Sequence, residues 1–147
     1  MGRLFRKAAT GDLESVLALL QSVSLPSEGV REHLNTFVVV EQDGLIIGCA
    51  GYEPYGDLAL LRSVAVRPQS QNSELGSALV TNVLKSAAAR GVKELVLLTT
   101  TAKNFFIRRH GFEVAVREDF ESRLSASSEW NLPRCSSAVV LKKTLKN

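Results

Sequence analysis

Cysteine and histidine are scarce in this chain, with two of each in 147 residues. Cys49 and Cys135 are too few for a disulfide framework. Neither they nor the histidines form a metal-ligating pattern, so no metal is expected. Long apolar runs are missing too. Nothing approaches the roughly 20 residues that a membrane-spanning helix needs, so no membrane partner is expected. There are no repeats, no low-complexity segment and no linker-like stretch. The start, "MGRLFRKAAT", lacks a signal-peptide core, and Arg6 stands where a myristoylation motif wants Ser or Thr, so neither a leader nor a lipid anchor is expected there. Net charge is small, +3, with a pI of about 9.1. That excess suits an anionic small ligand but is too slight and too dispersed for nucleic acid. These absences lead to the expectation of a soluble, reduced, cytoplasmic protein.

What is present suffices for one core. Apolar residues make up 45% and charged residues 22%, which are globular values, and the length fits a single domain spanning 1–147. "LFRKA" reads as a first strand. A helix follows, capped by Thr10 or Asp12, with Leu13, Val16, Leu17 and Leu20 at helical spacing. Pro26 and Gly29 break it, and Val30 to Leu34 can form a brief turn. In "FVVVEQDGLIIGCAGYEP" two β-rich runs flank Asp43-Gly44, the dipeptide preferred by a type I′ hairpin. "LALLRSVAV" is a third run, ended by Pro68. Leu75, Leu79, Val83 and Ala87 then recur every fourth residue up to Gly91, placed as a helix C-cap. "ELVLLTT", "FEVAV" and "SSAVVLKK" read as strands, and "KNFFIRRH" as a short helix ended by Gly111. Strands and helices alternate around a mixed sheet, which gives an α/β or α+β class.

Between the third run and the long helix lies "VAVRPQSQNSELGSALV", a strand, a polar loop and a helix opening near a glycine. Such a turn can hold a phosphate. Here Glu74 stands where a further glycine is expected.

From "LLRSVAVRPQSQNSELGSALV" through "HGFE" the sequence resembles the core of the GNAT acetyltransferases. The resemblance rests on a strand ending near "AV.P", a Q/R-x-x-G-x-G/A-type loop, the helix after it, and the later Gly111-Phe112. It covers about half the chain, and element order extends it further. "LTTTAKNFFIRRHGF" and the late "PRCSSAVVLKK" look like the acetyltransferase domain of bacterial N-acetylglutamate synthases. They look equally like small amino-acid-type acetyltransferases linked to arsenic resistance. The resemblance implies a mostly antiparallel sheet of six or seven strands, splayed at its middle and flanked by about four helices. It also implies acetyl-CoA as donor and a small amine as acceptor.

Carried onto this chain, the resemblance implies that Gln71, Asn72, Ser73, Glu74, Leu75, Gly76 and Ser77 cradle the pyrophosphate through backbone amides and the helix dipole. An ordinary strand-to-helix turn is the plainer reading. Glu74 is the misfit: a left-handed conformation would cost it about 1–2 kcal/mol. Repulsion at roughly 6 Å from a phosphate would add about 0.7–3 kcal/mol. Its carboxylate is therefore expected to point away. Val64, Ala65 and Val66 would pair with the pantetheine arm, with the Val64 amide as an oxyanion-type donor. On composition alone these are simply core.

Arg62, inside an apolar run, falls on the same face as Val64 and Val66 by period-2 counting. With Arg134 it would hold an acceptor carboxylate. The plainer readings are a salt bridge to Glu53 or Asp57 for Arg62, and a solvated loop charge for Arg134. Asn104 would contact the donor, or simply lie on a helix surface. Cys135 would protonate the leaving thiolate, or be a small buried hydrophobe. Arg108, Arg109 and His110 would meet a nucleotide phosphate, or form a solvated face. No acid stands where many GNAT enzymes carry one (Leu60 to Arg62 here), and no Tyr where many carry one (Phe106 or Ile107 here).

The resulting expectation is acetyl-CoA-dependent N-acetylation of a small amino-acid-like amine. A protein N-terminal or lysine acetyltransferase and a non-catalytic acyl-CoA sensor stay open, as does the oligomeric state, a homodimer included.

Overall fold

The computed structural model describes residues 2–71 and 74–145, and for Arg134 the backbone alone. The expected donor contacts of Asn72 and Ser73, and the expected role of the Arg134 side chain, lie outside the described residues. In chain order the elements are β1 (Leu4–Lys7), α1 (Leu13–Ser22), α2 (Val30–His33), β2 (Val38–Gln42), β3 (Leu45–Tyr55), β4 (Leu58–Val66), α3 (Leu75–Ala89), β5 (Glu94–Thr99), α4 (Lys103–His110), β6 (Glu113–Val114) and β7 (Val139–Thr144). Among the described residues the strands form one seven-stranded sheet in the order β1-β2-β3-β4-β5-β7-β6. Only β4 and β5 pair in parallel; the other pairs are antiparallel. The expected mixed α/β sheet with four helices is what forms.

Local chemistry sets the register. At the β2–β3 turn Asp43 and Gly44 both adopt positive φ, 54° and 79°, as a type I′ turn requires. Leu75, Leu79, Val83 and Ala87 of α3 are all buried, against Ile47, Ala50, Tyr52 and Leu61 on one sheet face. On the other face α1 sets Val16, Leu19 and Leu20 against Val39, Cys49 and Ala65. Next to α1 on that face, a run of turns carries Phe120, Leu124 and Trp130 over Leu58, Leu60 and Val96.

Two expectations need correction. "FEVAV" forms only a two-residue strand, because β6 pairs with β7 at Glu113↔Lys142 and Val114↔Leu141 and nowhere else. One more bond, from the Ala115 amide to the Val140 carbonyl, ends the edge before the chain turns at Arg117–Asp119. The second correction concerns β4. The β3 register passes from Gly51↔Arg62 to Cys49↔Ala65, so Ala50 faces two residues, Ser63 and Val64. Ser63 takes φ 60° to make this bulge. An extra residue reverses the alternation of side chains. Ala59 and Leu61 face α3 together with Val64 and Val66, while Leu58 and Leu60 share the other face, on which Ala65 also lies. Arg62 therefore faces away from Val64 and Val66, contrary to simple period-2 counting.

Candidate active site

Strands β4 and β5 pair only over Leu58↔Glu94, Ala59↔Leu95 and Leu60↔Val96. Beyond Leu60 the two diverge, and the split between them is filled by cavities. One, of about 360 Å³, is lined by residues that include Leu61 to Val64, Leu97 to Ala102, Glu129 and Cys135. The other, of about 380 Å³, lies toward the α3 N-terminus and includes Val64, Val66, Gln71, Gly76 and Ser77. Val64, Ala102 and Phe106 line both, so the two cavities meet at the bulge.

The α3 side has the makings of an anion site. A Cβ built on Gly76 would meet nothing closer than Val66 Cγ2 at 3.9 Å. The glycine thus leaves open space at the positive end of a fifteen-residue helix. Ser77 Oγ lies 3.0 Å from His110 Nε2, and the Gln71 side chain donates through Nε2 to the Val66 carbonyl at 3.1 Å. Burial, helped by Arg109 and Lys143, holds the His110 pKa below its ordinary value. Glu74 sits at φ −76°, so the expected cost of a left-handed conformation does not arise. Its side chain is 81% exposed and ion-paired with Arg109, which also lines this cavity. Leu75 is buried in the core and Ala65 faces α1. Asn104 is exposed on the first turn of α4, away from the lining of either cavity.

The other cavity is built on buried charge. Arg62 Nη1 donates to Glu53 Oε2 and to the Glu28 carbonyl, both at 2.6 Å. Nη2 donates to the Pro26 carbonyl at 3.2 Å, and Nε to Ser63 Oγ at 2.9 Å. Nη2 also lies 3.6 Å from Glu129 Oε2. The ion pair with Glu53, the plainer of the two readings of Arg62, is thus present. Glu53 in turn accepts from the Tyr55 hydroxyl at 2.6 Å, and His33 Nε2 stands 4.0 Å from it. Burial, then the bond to Glu53, pushes the Tyr55 pKa up. Gly29, at φ 84°, sits on this cluster: a Cβ there would come within 3.0 Å of Arg62 Nη1. Behind Arg62, burial pushes the Cys49 thiol up to about 12. Cys135 lines the cavity from the turn at Pro133–Cys135. Among the described residues no group of His, Cys, Asp and Glu could hold a metal.

This split sheet, with its glycine-opened helix end, has a counterpart among known proteins. Residues 33–114 match the acetyltransferase (GNAT) domain family. The chain belongs to the GNAT acetyltransferases. The amino-acid acetyltransferase of Pasteurella multocida (strain Pm70) is 30% identical over 127 residues, which is 80% of this chain and 29% of that protein. The chain thus spans less than a third of the length of the curated relatives it matches. The N-acetylglutamate synthase of Neisseria gonorrhoeae, solved with coenzyme A and N-acetyl-glutamate, superposes with a TM-score of 0.82 at 24% identity, over all of this chain and 36% of that one. A Mycobacterium tuberculosis protein solved with CoA superposes with a TM-score of 0.79 at 22% identity, over 97% of this chain and 99% of the other. At these identities the likeness is one of fold.

In this GNAT chain, sequence reasoning missed Glu129, His33, Tyr55 and the Thr99–Thr101 wall. A signal for the cluster existed: Glu53, inside the buried run of β3, lies diagonally across the register from Arg62. Glu129 offered none, because it reaches the cavity from a segment of turns.

Proposed function

We propose that this protein transfers the acetyl group of acetyl-CoA to the amine of a small amino-acid-like acceptor. The observation that carries this is the meeting of two chemically different cavities at Val64, within a chain of GNAT sequence. The α3-side cavity suits acetyl-CoA. Its helix end and Arg109 favour anions, Gly76 leaves room for a close approach, and the parted edges of β4 and β5 offer backbone groups to an extended amide-bearing arm. Gln71, Gly76 and Ser77 would flank the pyrophosphate, and Val64 and Val66 the pantetheine arm. When bound, acetyl-CoA supplies an activated thioester. The Val64 amide would stabilise charge developing on its carbonyl oxygen, and Cys135 would return a proton to the thiolate. The relatives named as amino-acid acetyltransferases, and the synthase solved with N-acetyl-glutamate, support an amino-acid-like acceptor.

For the acceptor carboxylate the direct partner would be Arg134, the sequence neighbour of the cavity-lining Cys135. Four of the five Arg62 N–H donors are engaged by protein, so Arg62 serves mainly by pinning the 26–28 loop over the cavity. Free thiol release from acetyl-CoA, followed with a panel of amino acids, tests the proposal. Release with a subset of them is expected. Tight CoA binding with no release above background for any amine would overturn it in favour of a non-catalytic sensor.

A further inference from the structure

From the donor-side cavity we infer that His110 is a positioning residue for acetyl-CoA, which turns the Ser77 hydroxyl toward the pyrophosphate and takes up a proton from solvent as the donor binds; this rests on the donor site proposed above. Ser77 stands in the first turn of α3 and lines the cavity beside Gly76. His110 is not part of that lining. Its imidazole stands behind Ser77, with Nε2 3.0 Å from Oγ. The side chain is 9% exposed, and the Phe105 ring meets it edge-on at 5.3 Å. His110 therefore acts on an anion in the cavity through the serine.

The direction of that hydrogen bond decides what the cavity offers. A neutral imidazole can accept at Nε2, which consumes the Ser77 proton and leaves an oxygen lone pair facing the phosphate. An imidazolium can only donate. Ser77 then accepts from His110, its own proton is free for a phosphate oxygen, and the bond behind it is charge-assisted. Without a donor molecule the charged form is disfavoured. The described charged groups whose fields reach His110 are Arg109 on the same helix and Lys143 on β7, both cations, and burial acts in the same direction. Glu74, at the start of α3, is engaged with Arg109 at the surface. The negative end of α4, whose last turn holds His110, opposes these effects without overcoming them. A pyrophosphate on Ser77 would lie about 5 Å from Nε2 and supply the missing counter-charge. Because the donor strengthens the ring's hold on its proton, the proton strengthens the hold on the donor by the same factor. Affinity for acetyl-CoA thus rises as pH falls, and the proton returns to solvent when CoA leaves.

The test is calorimetric titration with acetyl-CoA from pH 5.5 to 8, repeated at pH 6.5 in two buffers of different ionisation enthalpy to count protons. Wild type is compared with H110Q, which keeps an N–H donor and loses the titration. The comparison cancels titration of the nucleotide 3′-phosphate, which both proteins bind. At pH 6.5 wild type should take up about 0.4 proton more than H110Q. It should bind about fivefold more tightly than H110Q at pH 5.5 and within about twofold of it at pH 8. S77A should cost wild type about tenfold at pH 5.5 and about threefold at pH 8, because the hydroxyl donates best when an imidazolium backs it. Equal proton uptake by wild type and H110Q, or an affinity ratio between them that stays constant across pH, overturns the inference and leaves the donor site standing. If H110Q does not fold, S77A decides alone, and a deficit uniform across pH overturns the inference. No acetyl-CoA binding by wild type at any pH overturns the donor site itself, and the role of His110 with it.

Discussion

The two cavities that meet at Val64 are built in opposite ways. The α3-side cavity is largely made of residues close in sequence, Val64, Val66, Gln71, Glu74, Gly76 and Ser77, with Ala102 and α4 as the second wall. Its charged groups, Glu74 and Arg109, are on the surface. The acceptor-side cavity draws on residues near 24, 62, 98, 129 and 135, and its charges are buried. Anion binding needs little more than a helix end and an opening in the backbone, which a short contiguous motif can provide. Orienting a small zwitterion requires desolvated charges of both signs in a fixed geometry. Only a packed core can hold these, because a buried charge is stable only beside an opposite charge and hydrogen-bonding groups held in place.

That contrast can be broken most forcefully on the acceptor side. Glu53→Ala leaves Arg62 without its shortest-range counter-ion and should cost about 3 kcal/mol of stability, read as a lower denaturant midpoint at unchanged slope. A loss below about 1 kcal/mol would show that the cluster is no more buried in effect than a surface pair. On the donor side, Gly76→Leu fills open space rather than packed core. It should change stability by less than about 1 kcal/mol yet weaken acetyl-CoA binding at least about tenfold; calorimetry and denaturation together check both halves.

Smaller effects belong to the exposed pair. Arg109→Ala should lower acetyl-CoA affinity about two- to threefold at low salt, and Glu74→Gln should raise it by a similar factor. Both differences should fade at high ionic strength, and salt-independent effects would mean that the pair acts by shape instead. The smallest effect concerns His110. Its pKa is depressed in the folded protein, so the unfolded chain takes up the proton first as pH falls through the ordinary histidine value near 6.5. Stability should therefore be full above that value and decline below it. His110→Gln should flatten the decline, measured by thermal unfolding from pH 7.5 to 5.

Much of the architecture was legible because it is written in short-range patterns. Asp43-Gly44 could only be a tight turn, and the fourth-residue repeat from Leu75 to Ala87 only a helix with one buried face. Glu74 was legible as a misfit but not in its consequence: φ depends on how the loop enters α3, and Arg109, which engages the carboxylate, lies 35 residues away. The side-chain direction of Arg62 was illegible for a related reason. Whether a strand carries a bulge depends on its partner's register, and one extra residue at Ser63 moves every later side chain to the other face.

By itself, then, the sequence determined the order of elements, the family, and the helix end where a phosphate can sit, since each depends on residues close together in the chain. Tertiary structure alone decided which face Arg62 takes, that Glu53 and Glu129 share it, and that the turn holding Trp130 delivers a carboxylate to the cavity. Those outcomes are set by burial and pairing among distant segments. A buried charge takes whichever partner the completed core places within reach.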